Sequence, residues 1–151
     1  MKHEEHTGDH QRREIHEQQE LLRLPRVLLA EDDPELRKLL AAILRKDGFD
    51  VIEARDGADL LSKLEALAAE PTAAQPDVIV SDIRMPGYTG LDVLWALRKG
   101  NCRIPVILMT AFGTSDTREE AIRLGADTIL NKPLDPESLV TMVRSFSPAG
   151  A

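Results

Sequence analysis

Six polar residues stand where short apolar runs end. Glu31, Asp32 and Asp33 follow "RVLLA", Asp82 follows "DVIVS", Thr110 closes "IPVILMT" and Lys132 follows "DTILN". Carboxylates gathered in a cleft repel one another, and burial raises the free energy of each ionised form further. Such a cluster stays ionised only beside a cation. Oxygen donors without thiol or imidazole select a hard divalent ion, and Mg2+ suits one or two carboxylates completed by water and phosphate oxygens. Lys132 brings an ammonium on a flexible stem, matched to a phosphate oxygen or a carboxylate, and Thr110 brings a hydroxyl donor. Carboxylate, divalent ion, lysine and hydroxyl are the parts of a phosphoryl-transfer site, where positioning and charge neutralisation dominate. Asp82 stands at the end of a buried strand and is followed by the rigid turn "IRMPGYTG". A carboxylate so held can take a phosphoryl group as an aspartyl phosphate.

Taken singly, each residue has a blander role: Asp and Thr cap helices, and Lys132 is a solvated charge. Their force lies in sharing one edge of a sheet, so the elements that carry them matter. Short apolar runs predict strands at 26–30, 49–54, 77–81, 104–110 and 127–131. Helical spacing predicts helices at 34–48, 57–70, 91–100, 115–126 and 136–146, with Leu36, Leu39, Leu40, Ile43 and Leu44 as the apolar stripe of the first. Proline opens the first and last helices, and Ser115 or Asp116 is expected to cap the fourth. Trp95 is expected to pack into the core. Strands alternating with helices predict an α/β fold with a parallel sheet. The doubly wound order 2-1-3-4-5 puts helices on both faces and a crevice beyond strands one and three, where ligands bind. Strand two ends in Glu53 and Ala54 and offers no matching set.

Composition limits the alternatives. The 151 residues are 42% apolar and 30% charged, as for a globular protein of one domain, and carry a net charge of −7. That charge opposes binding to a nucleic-acid backbone or an anionic membrane surface. The lone Cys102 cannot form an internal disulfide, which suits a reducing compartment. No apolar run approaches the ~20 residues of a membrane span, so the cytoplasm is the expected location. Residues 1–24 read as an N-terminal extension, flexible or helical from Gln11 to Leu24. His3, His6 and His10 lie there without an acid or thiol pattern that would make a metal site. The main unit is expected over 25–147, with a short tail at 148–151.

In these motifs the chain resembles the response-regulator receiver domain, the CheY-like phosphoacceptor module of two-component signalling, over Arg26 to Phe146. "LLAEDD" matches the acidic pair, "SDIRMPGYTG" the phosphoacceptor loop, "LMTA" the switch hydroxyl and "NKP" the lysine. The resemblance implies a flavodoxin/CheY-like fold, with Asp82 as phosphoacceptor and Thr110 and Lys132 as its partners. It also implies Mg2+ (or Mn2+) held by Glu31, Asp32, Asp82 and the backbone carbonyl of Arg84, and a cis Lys132–Pro133 bond. The implied donor is a histidine kinase or phosphotransfer protein, and the implied output is a protein partner on the face of helix four, strand five and helix five. Such a domain catalyses only its own phosphorylation and dephosphorylation and is not otherwise an enzyme.

Three features depart from the family. Ile129 occupies the position of the switch aromatic, "PTAAQP" lengthens the connection before strand three, and Arg84 and Phe112 flank the site. No effector domain is expected after Phe146, which favours a single-domain regulator or phosphorelay intermediate without DNA contact. The alternatives are a degenerate receiver serving as a constitutive binding module, or a haloacid-dehalogenase-type phosphatase. The latter wants an acid two residues after the nucleophile, where this chain has Arg84.

Overall fold

The computed structural model describes residues 8–14 and 23–148. Strands β1 (Arg26–Ala30), β2 (Asp50–Ala54), β3 (Val78–Asp82), β4 (Val106–Thr110) and β5 (Thr128–Asn131) form one sheet ordered β2-β1-β3-β4-β5. All neighbours pair parallel. Each strand is followed by a helix: α1 (Pro34–Lys46), α2 (Gly57–Ala69), α3 (Gly90–Lys99), α4 (Ser115–Leu124) and α5 (Pro136–Phe146). This is the expected doubly wound architecture, with its switch point between β1 and β3.

Successive side chains leave a strand on opposite faces, so each strand feeds two cores. Leu28 and Ala30, Ile79, and Leu108 join Leu60 and Leu64 of α2, Val93, Leu94 and Leu97 of α3, and Ala121 of α4. Val27 and Leu29, Val80, Ile107 and Met109 face the other way, onto Leu40, Ala41 and Leu44 of α1 and Leu139 and Val143 of α5. Burial on both faces explains why the strands read as unbroken apolar runs. Asp33 caps α1 through the N–H groups of Glu35 and Leu36, and Pro34 occupies a position whose N–H would have had no partner. Thr89 and Asp92 cap α3 reciprocally.

Several expectations need correction. Leu39 is 57% exposed and Trp95 53% exposed. Each adjoins a buried leucine, Leu40 or Leu94, and one residue of helix turns it about 100° away from the core. Trp95 lies instead beside Leu61 and Tyr88, with the Lys99 ammonium 4.6 Å from its ring centroid. The cap of α4 is Thr114, whose side chain accepts from Thr117, rather than Ser115 or Asp116. Strands β2 to β5 begin one or two residues later than their apolar runs suggest. The "PTAAQP" connection is tied down: Arg26 donates to the Ala74 carbonyl at 2.7 Å and Gln75 to that of Leu67 at 2.9 Å. Residues 8–14 are helical and exposed; Leu24 is not helical, and the rest of the helix expected from Gln11 lies at 15–22, outside the described residues, as do His3 and His6. Among the described residues no helix is long and apolar enough to cross a membrane.

Candidate functional site

Parallel pairing gathers the strand ends without help from the loops. Ala30 pairs with Ser81, Asp82 with Met109 and Thr110 with Asn131, so Glu31, Asp82, Thr110 and Lys132 emerge at one edge of the sheet. Gly90, the first residue of α3, backs directly onto the peptide of Asp82. A Cβ there would stand 2.4 Å from the Asp82 carbonyl oxygen and 2.9 Å from Ile83 Cα, a space only glycine leaves free. The Lys132–Pro133 peptide is cis, as the resemblance implied.

Lys132 Nζ donates to Glu31 Oε1 at 2.6 Å and to Asp82 Oδ2 at 2.9 Å. Glu31 is 1% and Asp82 5% exposed, while Asp32 faces solvent. One carboxylate oxygen from each of the three acids lies within 4.8 Å of the others. Burial raises the Glu31 carboxyl from 4.5 to about 7; the Lys132 hydrogen bond opposes this, and Asp82 and Asp32 add to it. Burial alone would lower the Lys132 ammonium, yet its two carboxylate partners outweigh that and its pKa is raised. Lysine therefore stays charged, and Glu31 is the group short of counter-charge. One ammonium against three carboxylates leaves the cluster negative. An all-oxygen donor set with a charge deficit fits a hard divalent cation.

The remaining residues border this centre. Thr110 is buried, and its hydroxyl accepts from the Phe112 N–H at 3.2 Å, while its carbonyl accepts from the Lys132 N–H at 2.8 Å. The Arg84 N–H donates to Asp82 Oδ1 at 3.3 Å. Its exposed guanidinium sits 5.0 Å from the centroid of the Phe112 ring, itself 68% exposed. Ile129 is buried in the core shared by α2, α3 and α4. Asp33, third of the acidic run, is spent on the cap of α1.

The end of β2 takes part after all. Ala54 accepts the Glu31 N–H at 3.1 Å, and Glu53 lies 3.5 Å from Arg37 Nε. Arg37 also donates to the Glu31 carbonyl at 2.9 Å, a contact no strand-end pattern announces. Its only sequence signal is its place on the first turns of α1, six residues beyond Glu31.

An α/β sheet with acids and a lysine at its switch point fits a site for a divalent cation and a phosphoryl group. The chain belongs to the response regulator receiver domain family, whose description it matches over residues 27–144. It is similar to the transcriptional regulatory protein CpxR of Escherichia coli (strain K12), 38% identical over 121 residues, covering 80% of this chain and 48% of CpxR. It is also similar to the DNA-binding response regulator MtrA of Mycolicibacterium smegmatis, at 34% identity over 80% of this chain and 49% of MtrA. The chain thus spans about half the length of these relatives. Among solved structures, the receiver domain of the Francisella response regulator 1452 superposes with a TM-score of 0.73 at 30% identity, covering 81% of this chain and 95% of that one. The chemotaxis protein CheY4 of Vibrio cholerae gives 0.73 at 28% identity, covering 82% and 99%. Receiver domains are signalling phosphoacceptors that interact with histidine kinases and downstream effectors, and the family typically binds Mg2+ through acidic residues.

Proposed function

We propose that Asp82 accepts a phosphoryl group from a histidine kinase or phosphotransfer protein, and that the phosphorylated domain signals to a protein partner or passes the group on. The observation that carries this reading is Lys132, held by Glu31 and Asp82 above three carboxylates whose oxygens lie within 4.8 Å of one another. Lys132 fixes Asp82 Oδ2, while among the described residues Oδ1 has only the long contact from Arg84 N–H and is the freer nucleophile. Oδ1 forms the new bond to phosphorus as the donor's P–N bond breaks, and the departing imidazole takes up a proton. Glu31, Asp32, Asp82 and the Arg84 carbonyl would hold Mg2+ (or Mn2+), which supplies charge neutralisation at the phosphoryl oxygens. Lys132 then turns from a carboxylate to a phosphoryl oxygen, and Thr110 donates its hydroxyl to another.

The unit at 25–147 would act in the cytoplasm, between an extension at 1–24 and a tail at 148–151. Its output surface would be α4, β5 and α5, biased between two arrangements by the new phosphoryl contacts. The reading gives it no DNA contact of its own, because its net charge of −7 opposes a phosphate backbone. The DNA binding in MtrA's name belongs to a protein of which this chain covers 49%.

Incubation with acetyl phosphate and Mg2+, followed by intact-mass measurement, tests the proposal. One phosphoryl group per chain is expected, lost in Asp82→Asn and without Mg2+. Absence of labelling would leave a constitutive binding module, and sustained turnover of many phosphoesters would leave a phosphatase.

A further inference from the structure

Asp32 is the exposed member of the acidic triad, and the residues on either side of it are tied down. The Glu31 N–H is tied to Ala54 across the sheet, and the Glu31 carbonyl is tied to Arg37 Nη1 at 2.9 Å. On the other side, Asp33 caps α1 through Glu35 and Leu36 N–H groups, and α1 is the helix that carries Arg37. Asp32 therefore sits inside a ring closed by hydrogen bonds: Glu31 carbonyl, Arg37 side chain, α1, Asp33. Holding that carbonyl fixes the peptide plane from which Asp32 departs.

Arg37 is itself held. Its side chain is only 16% exposed, and its Nε lies 3.5 Å from Glu53 Oε1. The other Glu53 oxygen meets Arg45 at 3.2 Å, and the Glu53 carbonyl accepts from Lys63. The planar guanidinium can serve Glu31 and Glu53 together because its donors are rigidly splayed, which an ammonium cannot match. We infer that Arg37 is a positioning residue for the Glu31–Asp32–Asp82 cation pocket, acting through the Glu31 carbonyl and braced by Glu53. This rests on the phosphoacceptor reading above. Groups that orient metal ligands from behind typically change affinity 10–100-fold when removed.

The test compares wild type, Arg37→Ala, Arg37→Lys and Glu53→Gln by calorimetric Mg2+ titration, by acetyl phosphate labelling, and by the Asp32 backbone amide resonance without metal. Arg37→Ala is expected to raise the Mg2+ dissociation constant ~10-fold and to raise the Mg2+ concentration needed for half-maximal labelling in step with it. The Asp32 resonance should move in the metal-free variant. Arg37→Lys should recover only part of the affinity, and Glu53→Gln should show a smaller loss. Wild-type Mg2+ affinity in Arg37→Ala would overturn the inference, as would full recovery in Arg37→Lys. Should Arg37→Ala fail to fold, the other two variants decide on the same criteria. Wild type that binds no Mg2+ would sink the underlying reading instead, while an unmoved Asp32 resonance would sink the clamp alone.

Discussion

Glu31 is almost wholly enclosed, and removing its charge should stabilise the metal-free protein. Its carboxyl titrates at about 7 in the fold and 4.5 without it, because burial disfavours the ionised form more than Lys132 favours it. Between those values the native state binds more protons than the unfolded chain, so stability falls as pH rises through the window. The gap is equivalent to about 3 kcal/mol, fully felt above pH 7 and absent below 4.5. Lys132, raised from 10.5, acts outside this window: its contribution is intact throughout and is lost only at higher pH. Moving metal-free protein from pH 5.5 to 8 spans roughly 2 kcal/mol of the Glu31 effect, or about 6–8 °C in Tm for a domain of this size.

The assay is a set of thermal melts of wild type and Glu31→Gln at both pH values, in EDTA and in Mg2+. In EDTA, the Tm of wild type relative to Glu31→Gln should fall by that amount between pH 5.5 and 8, the comparison cancelling the titrating groups that do not touch Glu31. Mg2+ should restore wild type most at pH 8, where Glu31 is ionised and able to act as a ligand, and should do least for Glu31→Gln. Parallel pH profiles of the two proteins in EDTA would refute the reasoning, as would equal Mg2+ stabilisation at both pH values.

Arg98 donates to the carbonyls of Gly125, Cys102 and Ile104 and pairs with Asp127, so Arg98→Ala should destabilise by about 3 kcal/mol in urea melts through orphaned carbonyls. Arg84 stacks on Phe112 beside the site, and on the proposed function either Arg84→Ala or Phe112→Ala should change the dephosphorylation rate of the labelled protein by up to about fivefold, the worth of one such contact. Unchanged dephosphorylation in both variants would refute that role. Gly90→Ala forces a methyl onto the Asp82 peptide and should cost about 1–3 kcal/mol of stability, with labelling of the still-folded protein slowed further.

The sheet and the meeting of Glu31, Asp82 and Lys132 were legible because strand order and parallel direction alone bring those ends together. The sequence positions are far apart, Lys132 standing 101 positions after Glu31, yet no loop geometry was needed. What escaped was set by angular position or by support at a distance. Leu39 and Trp95 are apolar residues at the margin of helical stripes, and which margin is covered depends on neighbours that one helix does not specify. The cap of α4 falls one residue before the expected Ser115 or Asp116, at Thr114, whose side chain accepts backbone N–H groups as theirs do. Arg37 escapes a strand-end pattern because it acts on a backbone carbonyl from a helix, and the part Glu53 plays shows only once Arg37 is placed beside it.

The helices do not share the core equally, and the inequality falls beside the site. α4 buries Ala121 alone, whereas α1 buries Leu40, Ala41 and Leu44, and α3 buries Gly90, Val93, Leu94 and Leu97. A helix with one buried residue opens or shifts at lower free energy than its neighbours. Two residues before α4, Gly113 leaves a space that a side chain would overfill: a Cβ there would lie 2.9 Å from Thr110 Cγ2 and 3.1 Å from the Asn131 side-chain oxygen. Arg118, within α4, donates to that same Asn131 oxygen, next to Lys132. Ile129 is buried and has no ring to rotate, and the segment joining Thr110 to α4 runs past the space that Gly113 leaves free. Among the five helices that follow the strands, α4 is the least buried, and its tether reaches Asn131, the residue before Lys132.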